Sequence, residues 1–238
     1  MSSAPAPDAV SGPTSGPTSD PATEPASRST AGAAPRAAPG PAPDARAGRA
    51  PLDLPRGQLL MVGTGAFDVV KMPSWVMWLR VTCGWSVRVC LTASADLLVS
   101  RRAVAAAAQA PVSGPEWDTE QGRVPHQELA EWADLVLVLP ATVNFIGKCA
   151  AGIADDLALT TVMNTAAPVV IGPSVPATAL RRPAVRRNLR TLREDGFFVV
   201  PPVAGTSVHE GRTTDGWGSE LGPALECAAK ALAAGGPV

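Results

Sequence analysis

From residue 56 onward, short apolar runs alternate with amphipathic stretches. Gln58–Val62, Ser86–Leu91, Asp134–Leu139, Pro168–Ile171 and Phe197–Val200 are compact runs of aliphatic and β-branched residues bounded by turn formers. Runs of that length predict strands, and near-continuous apolarity predicts strands covered on both faces. Between them the spacing predicts helices over Ala66–Val81, Ala95–Ala108, His126–Ala133, Thr142–Ala151, Asp155–Asn164, Ala184–Asp195 and Ser219–Ala234. The first places Phe67, Val70, Trp75, Trp78 and Leu79 on or near one face. Pro73 within it predicts a kink or a later start. Residues 109–124 and the glycine-rich Val203–Gly218 read as loops. Strands alternating with helices predict an α/β fold of three layers, a parallel sheet between two layers of helices.

Residues 1–55 break this pattern. They are almost entirely Ala, Pro, Gly, Ser, Thr and a few charges, and hold twelve of the 25 prolines. With no apolar period of 2 or 3.6, nothing is buried to offset the entropy of ordering. This predicts a disordered tail over 1–55 and one folded domain over 56–238. The tail lacks the apolar centre of a secretory signal. Asp8, Asp20, Glu24 and Asp44 argue against a transit peptide.

Charge and cysteine usage narrow the classes further. The net charge is −1 and gives no general attraction to nucleic acid or anionic membrane. The apolar runs are too short to span a bilayer. Cys83, Cys90, Cys149 and Cys227 are widely spaced and form no CxxC, as expected of buried thiols in a reducing cytoplasm. Two histidines and no paired ligand spacing predict no metal site.

One of those histidines, His126, stands just before a helix–strand–loop unit. Histidine is suited to proton transfer near neutral pH, and the loop after such a strand is where open α/β sheets bind ligands. Gly63-Thr64-Gly65 follows the first strand and is a phosphate-loop candidate, because glycine lets the backbone approach an anion. A tight structural turn has the same appearance. Thr92 and Ser94 follow the second strand and offer two hydroxyls, although Ser94 as a helix cap explains the pattern equally. Pro140-Ala141-Thr142-Val143-Asn144-Phe145 follows the third strand with a hydroxyl, an amide and an aromatic ring. Such a set suits the edge and face of a planar heteroaromatic group; Thr142 as a simple helix cap is the alternative.

These segments converge on a family. Val124–Met163 resembles the flavin-containing cysteine decarboxylases, which include phosphopantothenoylcysteine decarboxylases and the peptidyl-cysteine decarboxylases of lantibiotic biosynthesis. The resemblance rests on the histidine before the helix, Trp132-Ala133-Asp134, Pro-x-x-x-Asn from Pro140 to Asn144, Gly147-Lys148, and Gly152-x-x-Asp155-Asp156-Leu157. It extends outward through Gly63-Thr64-Gly65-Ala66, Thr92-x-Ser94 and the Pro173/Pro183 pair. It implies a flavodoxin-like, Rossmann-like fold that binds FMN between the subunits of a homotrimer, or of a dodecamer built from trimers. It implies His126 as catalytic base. The implied cofactor-binding set is Gly63, Thr64, Gly65, Phe67, Thr92, Ser94, Pro140, Ala141, Thr142, Val143, Asn144, Phe145 and Ser174.

The chain departs from that family twice. The family's Pro-x-Met-Asn-x-x-Met-Trp motif reads here as Pro173-Ser174-Val175-Pro176-Ala177-Thr178-Ala179-Leu180. Pro176 replaces the asparagine that holds the substrate carboxylate and has neither a side-chain donor nor a backbone N–H. Arg181 and Arg182 lie close in sequence and are the substitute carboxylate clamp expected here; plain solvated charges are the alternative. The coenzyme A branch also carries a reducing cysteine in the loop that corresponds to Val203–Gly218, which has none. The resemblance therefore implies FMN-dependent oxidative decarboxylation of the C-terminal cysteine of a precursor peptide, giving an aminoenethiol for an aminovinyl-cysteine ring. Phosphopantothenoylcysteine decarboxylation and a non-catalytic flavin-binding regulatory subunit remain as alternatives.

Overall fold

The computed structural model describes residues 57–234; the expected tail, 1–55, lies outside them. The core is a six-stranded sheet in the order β3-β2-β1-β4-β5-β6, every pairing parallel. Its strands are β1 (Gln58–Gly63), β2 (Ser86–Leu91), β3 (Val112–Ser113), β4 (Leu135–Ala141), β5 (Val169–Pro173) and β6 (Phe198–Val199). Without the two-residue edge strand β3 this is the flavodoxin order, and with it the dinucleotide-fold order. The chain builds outward from β1 in one direction and then restarts beside β1 with β4. The loops after β1 and β4 diverge to opposite faces there and open a crevice at the carboxyl edge.

Period-two alternation explains how near-continuous apolar strands serve two cores. In β4, Leu135, Leu137 and Leu139 join one buried cluster, while Val136 and Val138 join the other. In β1, Leu59 and Met61 face the first cluster and Leu60 and Val62 the second. Helices α1 (Met72–Thr82), α3 (Arg101–Ala108) and α9 (Leu221–Ala234) cover the first face. Helices α4 (Pro125–Trp132), α5 (Val143–Ala150), α6 (Leu157–Asn164) and α8 (Pro183–Glu194) cover the second.

Several expected boundaries are corrected. The stretch Ala66–Val81 is not one helix: a 3-10 turn over Phe67–Lys71 precedes α1, and Pro73 sits in the first turn of α1. A proline is tolerated there because its missing N–H has no helical acceptor to meet. The expected Ala95–Ala108 helix is two, α2 (Ala93–Asp96) and α3, and Ser100 caps the second by accepting from the N–H of Ala103 at 3.3 Å. The loop 109–124 contributes β3. A short helix α7 (Ala177–Leu180) starts at Pro176.

The largest correction is to Val203–Gly218. It is not an irregular loop but an antiparallel hairpin, β7 (Ala204–Ser207) with β8 (Arg212–Trp217), forming its own two-stranded sheet.

Candidate active site

Three strand ends meet at the carboxyl edge. Gly63-Thr64-Gly65 ends β1, Thr92-Ala93-Ser94 follows β2, and Thr142-Val143-Asn144 follows β4. A cleft of about 450 Å³ lies among Thr64, Gly65, Thr92, Ser94, Asn144 and Phe145. Lys148, Asp155 and Asp156 form its farther wall, and Lys148 donates to both Asp155 oxygens at 3.0 and 2.7 Å. A Cβ on Gly65 would fall 2.3 Å from the Cβ of Ser94, so the first two loops touch through a contact that only glycine permits. Among the described residues, no protein partner is recorded for the hydroxyls of Thr92 and Ser94. Thr92 occupies the N-cap position of α2 without a side-chain cap bond, and Ser94 lies inside that helix, so the capping alternative does not account for them. Thr142 does act as a cap: its hydroxyl accepts from the Phe145 N–H at 3.2 Å. That fixes the first turn of α5 and leaves the Asn144 side chain exposed at the cleft.

A second cleft, of about 480 Å³, shares Gly65 and Thr142 with the first. Phe67, Val143 and Ser174 line one side of it. The hairpin supplies the other, with Val208 and Glu210 near its turn and Trp217 at its base. Val175 and Trp217 exchange backbone hydrogen bonds at 2.9 and 2.8 Å. The Trp217 ring is 7% exposed and its Nε1 donates to the Pro201 carbonyl at 3.1 Å. The charged side chains on this cleft are Asp68 and Glu210; Asp68 pairs with Lys71 at 2.9 Å and Glu210 with Arg212.

The cleft walls therefore contain most of the residues singled out in the sequence. Gly63, Pro140 and Ala141 stand behind the lining and carry backbone bonds: the Gly63 carbonyl accepts from Thr92 N–H at 3.0 Å, and the Ala141 carbonyl from Ser174 N–H at 2.8 Å. Three residues lie apart. His126, in the first turn of α4, lines neither cleft. Its Nδ1 is buried with no hydrogen-bond partner, and its ring meets Trp117 edge-on at 5.4 Å. Arg181 and Arg182 are exposed beyond the end of α7 and also line neither cleft.

Sequence reasoning read Val203–Gly218 as a loop and singled out neither Glu210 nor Trp217, which line the hairpin side. The signal lay in Thr213, Thr214 and Trp217, β-prone residues interrupted by Asp215 and Gly216. The four cysteines are free, and burial raises every one of their thiols, Cys90 and Cys149 to about 12. They are packing groups rather than thiolate nucleophiles. Among the described residues no His/Cys/Asp/Glu group suits a metal ion, and no helix is long and apolar enough to cross a membrane.

Comparison with known proteins follows this geometry. The bifunctional coenzyme A biosynthesis protein CoaBC of Bacillus subtilis (strain 168) is 39% identical over 126 residues, 52% of this chain and 31% of that protein. The corresponding Escherichia coli (strain K12) protein is 34% identical over 152 residues, 63% of this chain and 37% of that protein. The chain thus spans about a third of the length of the curated relatives it matches. The solved structure of the FMN-dependent cysteine decarboxylase SpaF is 34% identical, with a TM-score of 0.64 over 75% of this chain and 97% of that one. The FMN-dependent cysteine decarboxylase TvaF from thioviridamide biosynthesis is 31% identical, with a TM-score of 0.61 over 74% and 99%. The Flavoprotein family matches residues 48–218, which include every strand of the sheet and both cleft walls; the chain belongs to the Flavoprotein family.

Proposed function

We propose that this chain is an FMN-dependent decarboxylase of cysteine, and that its substrate is the C-terminal cysteine of a peptide made for an aminovinyl-cysteine ring. The observation that carries the reading is the pair of adjoining clefts sharing Gly65 and Thr142. One offers what FMN requires: a glycine-permitted close approach, two unengaged hydroxyls at Thr92 and Ser94, and the exposed amide of Asn144. The other is bounded by a hairpin, as a peptide-binding groove would be. The similarity to FMN-dependent cysteine decarboxylases points the same way.

Bound FMN supplies a two-electron acceptor. The cysteine then loses two electrons and two protons from its S–H and Cβ–H, giving a thioaldehyde. The carbonyl analogue lies β to the carboxylate, so CO2 leaves and the aminoenethiol remains. Val143, Ser174 and the hairpin hold the peptide end beside the shared wall at Gly65. His126 takes a proton during the oxidation. Since His126 lines neither cleft of its own chain, it would serve the cleft of a neighbouring copy in a homotrimer, or a dodecamer of trimers. Exposed Met77, Trp78, Trp117 and Val124 are apolar surface suited to such contacts.

The substrate carboxylate requires a partner. The lining side chains of the hairpin cleft carry no cation, so we assign the clamp to Arg181 or Arg182, brought in across the assembly or by approach of the peptide end to α7. A charge-assisted contact is worth about 1.5–3 kcal/mol, roughly 10- to 150-fold in binding. Arg181→Ala or Arg182→Ala should abolish the preference for a free-acid over an amidated peptide. Full preference in both variants would reduce these arginines to surface charge.

The deciding experiment is mass spectrometry of a synthetic peptide ending in cysteine. Loss of CO2 plus two hydrogens, from protein that releases FMN on denaturation, is the expected result. Binding of FMN without any mass change would support the non-catalytic subunit instead. The match to CoaBC favours a second substrate, phosphopantothenoylcysteine, and offering both substrates separates the readings. The hairpin residues 203–218 lack a cysteine to reduce an enethiol, so turnover should stop at the oxidised product.

A further inference from the structure

Among the described residues, Thr64 is one of three polar residues that are almost wholly buried, at 1% exposed. Its hydroxyl donates to the Pro140 carbonyl at 2.8 Å and accepts from the Thr142 N–H at 2.9 Å. The two bonds fasten the end of β1 to the end of β4, 76 and 78 residues away, at the place where the two loops part. They also meet a local need. The pairing of β4 with β5 shifts register between Val138 and Ala141, so the backbone around Pro140 leaves the regular ladder. A buried carbonyl and a part-buried N–H outside a ladder require other partners. One side chain serves both.

The consequences run to both clefts. Thr142 is the N-cap of α5, and its N–H is held by Thr64. Val143 and Asn144, the next two residues, face the hairpin cleft and the cofactor cleft respectively. Gly65, the residue after Thr64, lines both. Displacing the Thr64 hydroxyl therefore moves the start of α5 against the Gly65 backbone, the wall the clefts share.

We infer that Thr64 is a positioning residue, a hydroxyl clamp between the β1 and β4 loops that sets the FMN site without touching the cofactor through its own side-chain oxygen. This rests on FMN occupying the cleft of Thr92, Ser94 and Asn144. The one O–H donor of Thr64 is spent on the Pro140 carbonyl, so its side chain has no proton to give a phosphate oxygen.

The test is FMN titration of the full-length apoprotein, followed by quenching of flavin fluorescence, with the visible absorption bands of the bound cofactor recorded. Thr64→Val keeps shape but strands a buried carbonyl and N–H. It should weaken FMN binding roughly 5- to 50-fold and shift the bound-flavin bands. Thr64→Ser keeps the hydroxyl and should restore both to within about threefold. Circular dichroism of each apoprotein checks the fold, and a clamp acting only on stability would leave the flavin bands of the holoprotein unmoved. A Thr92→Val/Ser94→Ala double variant reports on the site. If that variant loses FMN while Thr64→Val binds it like the native chain, the clamp inference is overturned and the site stands. If neither variant changes affinity, the placement of FMN is overturned and the inference with it.

Discussion

The two clefts sit side by side yet are built by different means. The Thr92–Asn144 side is made from strand ends of one parallel sheet, held by buried bonds such as those of Thr64 and by the tight Gly65–Ser94 contact. The hairpin side is made from a separate two-stranded sheet, whose backbone bonds to the α/β body among the described residues are the reciprocal pair between Val175 and Trp217. The first is an extension of the core and inherits its rigidity. The second is an attachment, with low local burial and lower expected local stability. A planar cofactor needs a fixed site, and the strand-end side supplies one.

Trp217→Ala is the harshest way to break this contrast. Removing a buried tryptophan costs about 3–5 kcal/mol. Chemical denaturation should show that loss, and limited proteolysis should cut first within 203–218 while FMN affinity stays within a few-fold. Loss of FMN together with the hairpin would mean the two sides are one unit. Next in size is Gly65→Val, which forces a side chain into the 2.3 Å approach to Ser94. Overpacking costs about 1–3 kcal/mol, and here FMN binding should fall while the hairpin remains resistant to protease.

A pH experiment sharpens the same contrast. Cys90 and Cys149 belong to the body, and burial raises their thiols from 9.0 to about 12. The unfolded thiols release their protons near the lower value and the native ones do not. Stability is thus complete below about pH 9 and falls as pH rises toward 12, by roughly 1.4 kcal/mol per pH unit for each thiol. Urea titrations at successive pH values should show this slope, with Cys90→Ala removing about half of it and hairpin substitutions none. The smallest effect is expected for Val208→Ser near the hairpin turn. That residue is 61% exposed, so stability should change by no more than about 0.5 kcal/mol, while the KM for peptide rises a few-fold. A change in kcat instead would place the turn closer to the chemistry than the structure does.

How much was legible in the sequence follows from how each part is held. The sheet was readable because each strand is an apolar run framed by turns, and the cofactor-side loops because they follow those strands. The hairpin was not, since Ala204–Ser207 and Arg212–Trp217 are polar, glycine-bearing and ordered by pairing with each other and with Val175. The extent of α7 was hidden by its four-residue length behind Pro176. The bonds of Thr64 and the setting of His126 needed three dimensions. A threonine in a Gly-Thr-Gly turn looks the same whether its hydroxyl meets a ligand or a distant carbonyl. A histidine before a helix does not disclose whether its ring lines a cleft.

The reciprocal Val175–Trp217 link has an evolutionary consequence. A segment whose turn lies away from its attachment at Val175, α7 and the buried Trp217 ring is a cassette. Its turn can lengthen, shorten or change charge while the sheet and the strand-end cleft keep their contacts. Grafting the 203–218 stretch of one relative onto another, with Trp217 and Val175 retained as the socket, is the engineering form of the same exchange.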